Sequence, residues 1–109
     1  MRIKISKNSI EAAACASYIS RAIGLMFAPK PKPLLFIFSK EGIYKLHMWF
    51  VFFPIDVVFM DKGKKVIEIK ENFKPFTFYN PKRKAKYILE LPKGGIKIYK
   101  IKVGTRLKF

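Results

Sequence analysis

Cysteine is nearly absent from this sequence. Cys15 stands alone, so no disulfide can form within the chain, a usage that fits a reducing compartment. Its neighbours Ala12, Ala13, Ala14 and Ala16 make it a small buried filler rather than a reactive thiol, which needs a basic, exposed setting. Histidine also occurs once, as His47, with no second His or Cys near it, so no metal-ligand set is present and no metal or cofactor is expected. Glutamine is missing and asparagine occurs three times, a composition resembling that of heat-adapted proteins. Gly94-Gly95 lacks the spacing of a phosphate-cradling loop. No apolar run reaches the ~18–20 residues of a membrane helix; the longest, Leu46–Met60, is broken by Pro54 and Asp56. Near the start, Ser6-Lys7-Asn8-Ser9 and Glu11 interrupt any secretory apolar core. A cytoplasmic protein is expected.

Acidic residues are scarce too: seven Asp and Glu face 23 Lys and Arg, for a net charge of +16. Such a field attracts polyanions, and nucleic acid is the partner it most often serves. Only four of the cations are arginine, the residue that clamps phosphates and reads bases in pairs of hydrogen bonds. The charge therefore reads first as lysine-rich composition, and any nucleic-acid contact would be weak and salt-sensitive. The basic surface concerned is Lys62, Lys64 and Lys65 together with Lys82, Arg83, Lys84 and Lys86.

What is abundant is apolar and aromatic residue: half the chain is hydrophobic and 16% aromatic. A chain of 109 residues with that content can close a core as a single domain, 1–109, and is not disordered. Leu46–Met60 concentrates five aromatic rings and reads as two core strands joined by a corner at Pro54. Alternation predicts further short strands at Arg2–Ser6, Lys65–Lys70 and Tyr87–Leu91; Leu34–Phe38 is an unbroken apolar strand. Ser39–Gly42 and Asp61–Lys64 read as turns, the latter a tight hairpin. Asn8 or Ser9 can cap a helix over Ile10–Ala22 ended by Gly24. The alternate prolines of Ala28–Pro33 force a stiff, extended connection. Ile96–Lys102 reads as strand, less cleanly. Seven or eight strands with one short N-terminal helix predict a mainly β fold, a compact antiparallel sandwich or barrel.

Several pieces recur in a recognisable order. Gly24-Leu25-Met26-Phe27, Met48 placed eight residues before Asp56 in Pro54–Phe59, Glu71-Asn72-Phe73-Lys74-Pro75, Leu89–Gly94 and Ile101–Gly104 together resemble the domain of unknown function 192, also called uncharacterised protein family 0127. The match runs from about residue 3 to 109, in the manner of the short, leaderless archaeal members. The resemblance implies a jelly-roll type of β-sandwich and a short helix around residues 94–101, and it implies no activity. Trp49-Phe50 replaces a Lys-Asn pair of many members, and Thr105 stands where an acid is usual.

Two kinds of site follow. Asp56 lies within an apolar run, and a buried carboxyl needs partners. It is either a perturbed acid at a ligand site, or an acceptor for backbone N–H groups at the Pro54 corner or a partner for Arg21 or a lysine. The Gly24–Phe27 segment and the aromatic stretch around Met48, Trp49 and Phe50 could enclose a flat apolar ligand, a sugar face or a peptide. Met26, Met48, Trp49 and Asp56 are thus the candidate ligand residues, or else core. No catalytic set is expected, since Cys15 and His47 belong to different elements and Glu68, Glu71 and Glu90 read as solvated. The expectation is a non-enzymatic ligand-binding β domain, monomer or homodimer; the alternatives are non-specific nucleic-acid binding and, behind it, an enzyme using Asp56.

Overall fold

The computed structural model describes residues 1–17 and 24–109. Among them are nine strands: β1 (Arg2–Ile5), β2 (Asn8–Glu11), β3 (Ala13–Cys15), β4 (Leu34–Gly42), β5 (Leu46–His47), β6 (Ile55–Met60), β7 (Val66–Phe73), β8 (Phe78–Tyr79) and β9 (Ala85–Pro92). One short helix, α1 (Gly95–Ile98), follows. Strands β3-β4-β9-β6-β7 form the main sheet in that order, and β1-β2 and β5-β8 are separate two-stranded ribbons. The main sheet is antiparallel except at its edge, where β3 runs parallel to β4. Its strand order ends at β3 and β7 without closing, so the fold is mainly β but not a barrel.

Strand β6 explains the arrangement. All six of its residues are buried, so both faces of the sheet are covered at this point. Val58 and Met60 join a cluster with Ile3, Ile5 and Leu107 on one face, and Ile55, Val57 and Phe59 join Leu25, Met48 and Phe73 on the other. Each such large side chain gains about 1.5–3 kcal/mol by leaving water, which makes this strand the energetic centre. Only the second arm of Leu46–Met60 is core strand, however. The first arm pairs with β8 over Leu46 and His47 alone, then turns at Trp49-Phe50, leaving both rings 47% exposed.

The predicted N-terminal helix is overturned across Ile10–Cys15. Ser6, with φ 54°, turns the chain so that Asn8–Glu11 folds back on Arg2–Ile5, pairing Ile5 with Asn8 and Ile3 with Ile10. Ile10 and Ala12 are buried while Glu11 and Ala13 are exposed, a period of two rather than 3.6. The non-local partner decided what alanine propensity could not. Residues 18–22 of that expected helix, Arg21 among them, lie outside the described residues. Ser39–Gly42 is likewise not a turn: it continues β4 through an irregularity between Ile37 and Gly42.

The hairpin at Asp61–Lys64 forms as expected. Asp61 Oδ1 accepts the N–H groups of Gly63 (2.9 Å) and Lys65 (3.0 Å), and Lys64 takes the left-handed conformation at φ 64°. The strand reading at Ile96–Lys102 gives way to the helix that the family resemblance implied. Gly94, at φ 92°, redirects the chain into α1, and Ile101 N–H closes back onto Ile96 O at 2.9 Å. Ile96 and Ile101 are buried and Ile98 is 69% exposed, which a strand alternating at Ile96 and Ile98 would not produce.

Candidate functional site

One face of the main sheet carries a cavity of about 590 Å³, walled by the Gly24–Met26 segment, Phe36 and Phe38 of β4, Tyr44, Met48 and Val51. The ring of Tyr44 stacks on Phe38 with centroids 3.7 Å apart, and its hydroxyl donates to Lys40 O at 2.6 Å. Gly42 makes room for this wall: a Cβ there would lie 2.9 Å from the Tyr44 ring. Lys45 and His47 stand at the exposed side of the same cavity.

Glu90 projects into this apolar space from β9. It is 8% exposed and has no hydrogen-bond or ionic partner among the described residues. No side-chain oxygen sealed from solvent lacks a partner there, so the Glu90 carboxyl opens onto the cavity. Burial pushes its pKa up to about 8, so at neutral pH it is mainly the uncharged acid, a hydrogen-bond donor. The titratable and charged groups facing it are Cys15 on the neighbouring edge and Tyr44, Lys45 and His47 across the cavity. The Cys15 thiol is itself raised, by burial first and then by the Glu90 charge.

Of the candidate ligand residues, Met26 and Met48 line this cavity, while Trp49 and Asp56 do not. Trp49 points outward into a group of exposed rings, in edge contact with Phe76. Asp56 sits on the opposite face of β6, 1% exposed. Its Oδ1 accepts the Asn72 N–H at 3.0 Å, and its Oδ2 accepts those of Gly94 and Ile96, both at 3.1 Å. Asn72, at φ 51°, is part of a β7 irregularity that the β6 ladder cannot satisfy, and Gly94 and Ile96 open α1. One carboxyl therefore fills the acceptor positions that a bulge and a helix start both leave empty. Asp56 is thus a backbone acceptor, for N–H groups of β7 and α1 rather than of the Pro54 corner.

Glu90 is not solvated as its charge suggests but buried, and its sequence signal matches that of Asp56: a single carboxyl inside an apolar strand, Tyr-Ile-Leu-Glu-Leu. Glu68 is a different case. It accepts the Tyr79 hydroxyl and the Lys82 and Arg83 N–H groups (3.0 and 3.1 Å), pinning the basic loop; burial and this bond push Tyr79 up to about 12. The register pairs Met60 with Tyr87 and Gly42 with Ala85, so the Asp61–Lys64 turn and the loop at 80–84 lie at the same end of the sheet. Lys62, Lys65, Lys82, Arg83 and Lys84 are exposed there. Lys64 is partly occupied, donating to Phe109 O and lying over its ring; Lys86 lies over the Tyr87 ring. Among the described residues no cluster of His, Cys, Asp and Glu could hold a metal, and no helix is long and apolar enough to cross a membrane.

A mainly β sheet with covered faces, carrying a cavity floored by a buried acid, is the class of protein that this geometry defines. The same architecture occurs in the crystal structure of a protein of unknown function from Novosphingobium aromaticivorans. The TM-score is 0.91 at 17% identity, covering 100% of this chain and 84% of that one. It occurs also in a putative transcription regulator from Sinorhizobium meliloti (TM-score 0.88, 23% identity, 98% and 89% covered). The family model DUF192, Uncharacterized ACR, matches residues 1–109. The UPF0127 protein PF1050 of Pyrococcus furiosus is 37% identical over 102 residues, 92% of this chain and 87% of the relative. PH1112 of Pyrococcus horikoshii is 36% identical over 95 residues, covering 85% and 82%. The chain belongs to the DUF192 (UPF0127) family, an uncharacterised family with archaeal members, as its spaced motifs indicated.

Proposed function

We propose that this protein is a non-enzymatic binding module, one domain in the manner of a jelly-roll sandwich, whose cavity takes a small neutral molecule with an apolar body and a hydrogen-bond acceptor. The observation that carries this reading is Glu90, an unpartnered buried acid at the wall of a cavity that is apolar apart from Tyr44, Lys45 and His47. Aromatic and Met side chains give such a ligand area without demanding one shape, and the uncharged carboxyl fixes its orientation. A ligand carbonyl or hydroxyl oxygen supplies the partner that the protein itself withholds.

Nile red, a flat neutral dye with a carbonyl, is a suitable probe. Its fluorescence should rise on binding at pH 6.5, and its affinity should fall by about tenfold by pH 9 as Glu90 ionises. Glu90→Gln keeps a donor without the charge, so its affinity should stay level over that range. Binding of equal strength at both pH values in the unaltered protein would remove Glu90 from the site; no binding at either, with the fold intact, would argue against the pocket.

A second reading is supported by the exposed basic end of the sheet and by the regulator description of the Sinorhizobium meliloti neighbour. It is salt-sensitive contact with nucleic acid through Lys62, Lys65, Lys82, Arg83 and Lys84. Replacing Lys82, Arg83 and Lys84 by Ser should then shift elution from heparin to clearly lower salt. Unchanged elution would assign the retention to net charge alone.

A further inference from the structure

Beyond the cavity, four rings on the outside of two loops whose inner residues wall it gather with a fifth, Phe76, from a third loop. Phe27, Trp49, Phe50, Phe52 and Phe76 are 67%, 47%, 47%, 59% and 44% exposed. They nonetheless touch one another: Phe27 stacks on Phe50 at 4.9 Å, and Phe76 meets Trp49, Phe50 and Phe52 edge-on at 6.4, 6.1 and 5.5 Å. Loose side chains would not hold this arrangement, but the backbone does. Phe27 N–H donates to Phe50 O (2.8 Å), Phe76 N–H to Met48 O (2.9 Å) and Met48 N–H to Thr77 O (2.7 Å), lashing three loops together.

Three of the five rings stand on left-handed backbone: Phe27 at φ 61°, Phe50 at 59° and Phe76 at 58°. A bulky side chain is strained there, and glycine or asparagine would be the easy choice. Strain combined with exposed aromatic surface is the reverse of what folding favours, and such positions gather where a protein meets something else.

Charge indicates what that is. The ring-bearing segments fall within stretches 12–40, 42–55 and 72–89, none of which contains an Asp or Glu, and Lys30, Lys32, Lys45 and Lys74 lie among them. A second copy of this chain would bring a like charge of +16 against the same surface. Single-stranded nucleic acid needs open ring faces for its bases, whereas these rings spend faces and edges on each other. A clustered apolar knob borne on segments that carry lysine and no acid suits a bilayer interface with anionic headgroups: the rings enter the headgroup–acyl boundary and lysines of those segments meet the phosphates.

We infer that the cluster of Phe27, Trp49, Phe50, Phe52 and Phe76 is a docking surface for anionic lipid bilayers. Trp49, the sole tryptophan, reports on it directly. Vesicles of phosphatidylcholine mixed with phosphatidylglycerol should shift Trp49 emission to the blue and carry the protein down on sedimentation. Phosphatidylcholine alone should do so far less. The double variant Phe50→Ser/Phe52→Ser alters exposed rings only, so it should melt as the parent does while partitioning at least about tenfold more weakly. The inference is overturned by any of three results: no blue shift and no co-sedimentation, equal partitioning of the double variant, or vesicles ignored while the same variant abolishes a dimer or the binding of single-stranded DNA. The Nile red titration reads the cavity separately, so either conclusion can fail without the other.

Discussion

Asp56→Ala should be among the most damaging single substitutions in the chain. It leaves the buried N–H of Ile96 and the part-buried N–H groups of Asn72 and Gly94 without their acceptor. Each stranded donor costs about 1–3 kcal/mol, and water replaces only part of that, so a loss of about 3–5 kcal/mol is expected in urea or guanidinium unfolding. Asp56→Asn keeps one oxygen and turns the other acceptor into a donor, so at least one N–H faces another N–H; roughly half the loss should follow. The cost should also be local. Amide hydrogen exchange at Asn72, Gly94 and Ile96 should quicken more than at Ile3 or Val58, since α1 and the β7 irregularity loosen before the sheet does. An Asp56→Ala protein that unfolds at the parent's denaturant midpoint would show that these three bonds hold nothing in place.

Glu90→Gln should do the opposite, by a margin that grows as pH rises from about 4.5 through 8. The folded protein holds the Glu90 proton up to about pH 8, whereas an ordinary glutamate, and hence the unfolded chain, releases it near 4.5. Folding therefore takes up a proton across this window. The stability contributed by the raised pKa is fully present below about 4.5 and is lost as pH rises through 8, at up to about 1.4 kcal/mol per pH unit. Glutamine has no proton to lose. The variant should match the parent within about 1 kcal/mol at pH 5 and exceed it by on the order of 4 kcal/mol at pH 9. Glu90→Leu should gain similarly while losing the donor to the cavity, so stability and Nile red binding part company in that variant. A stability difference between Glu90→Gln and parent that does not change with pH would mean the carboxyl titrates as if in water.

Residues with a short period and a buried face were legible from the sequence. Arg2–Ile5 alternates between water and core as the two-residue repeat of a strand dictates, whereas Val66–Lys70 and Tyr87–Leu91 form strands as their composition predicts but Ile88–Leu91 is buried on both faces. Asp61–Lys64 was legible because its turn is bonded within itself. Ile10–Cys15 was not, since alanines suit a helix locally and only partners elsewhere in the chain, Arg2–Ile5 for Ile10 and Glu11 and Leu34–Phe36 for Ala13–Cys15, draw it into strands. Ile96–Ile98 failed for the same reason: the helix is held by Asp56, forty residues away from Ile96 in sequence.

For the site, composition and spacing already joined Met26 to Met48, and both line one cavity. Trp49 follows Met48 directly in sequence but does not share its place in space, because a left-handed Phe50 turns the loop outward. Asp56 and Glu90 present the same signal, a carboxyl in an apolar strand, and nothing in either stretch says which face of the sheet it joins or whether N–H groups await it there. The sequence alone determined a basic, aromatic-rich, mainly β chain of the DUF192 family, because charge, strand period and ordered motifs are properties of residues near one another. The tertiary structure alone decided that Asp56 is satisfied and Glu90 is not, because satisfaction of a buried polar group depends on which distant backbone the fold brings against it.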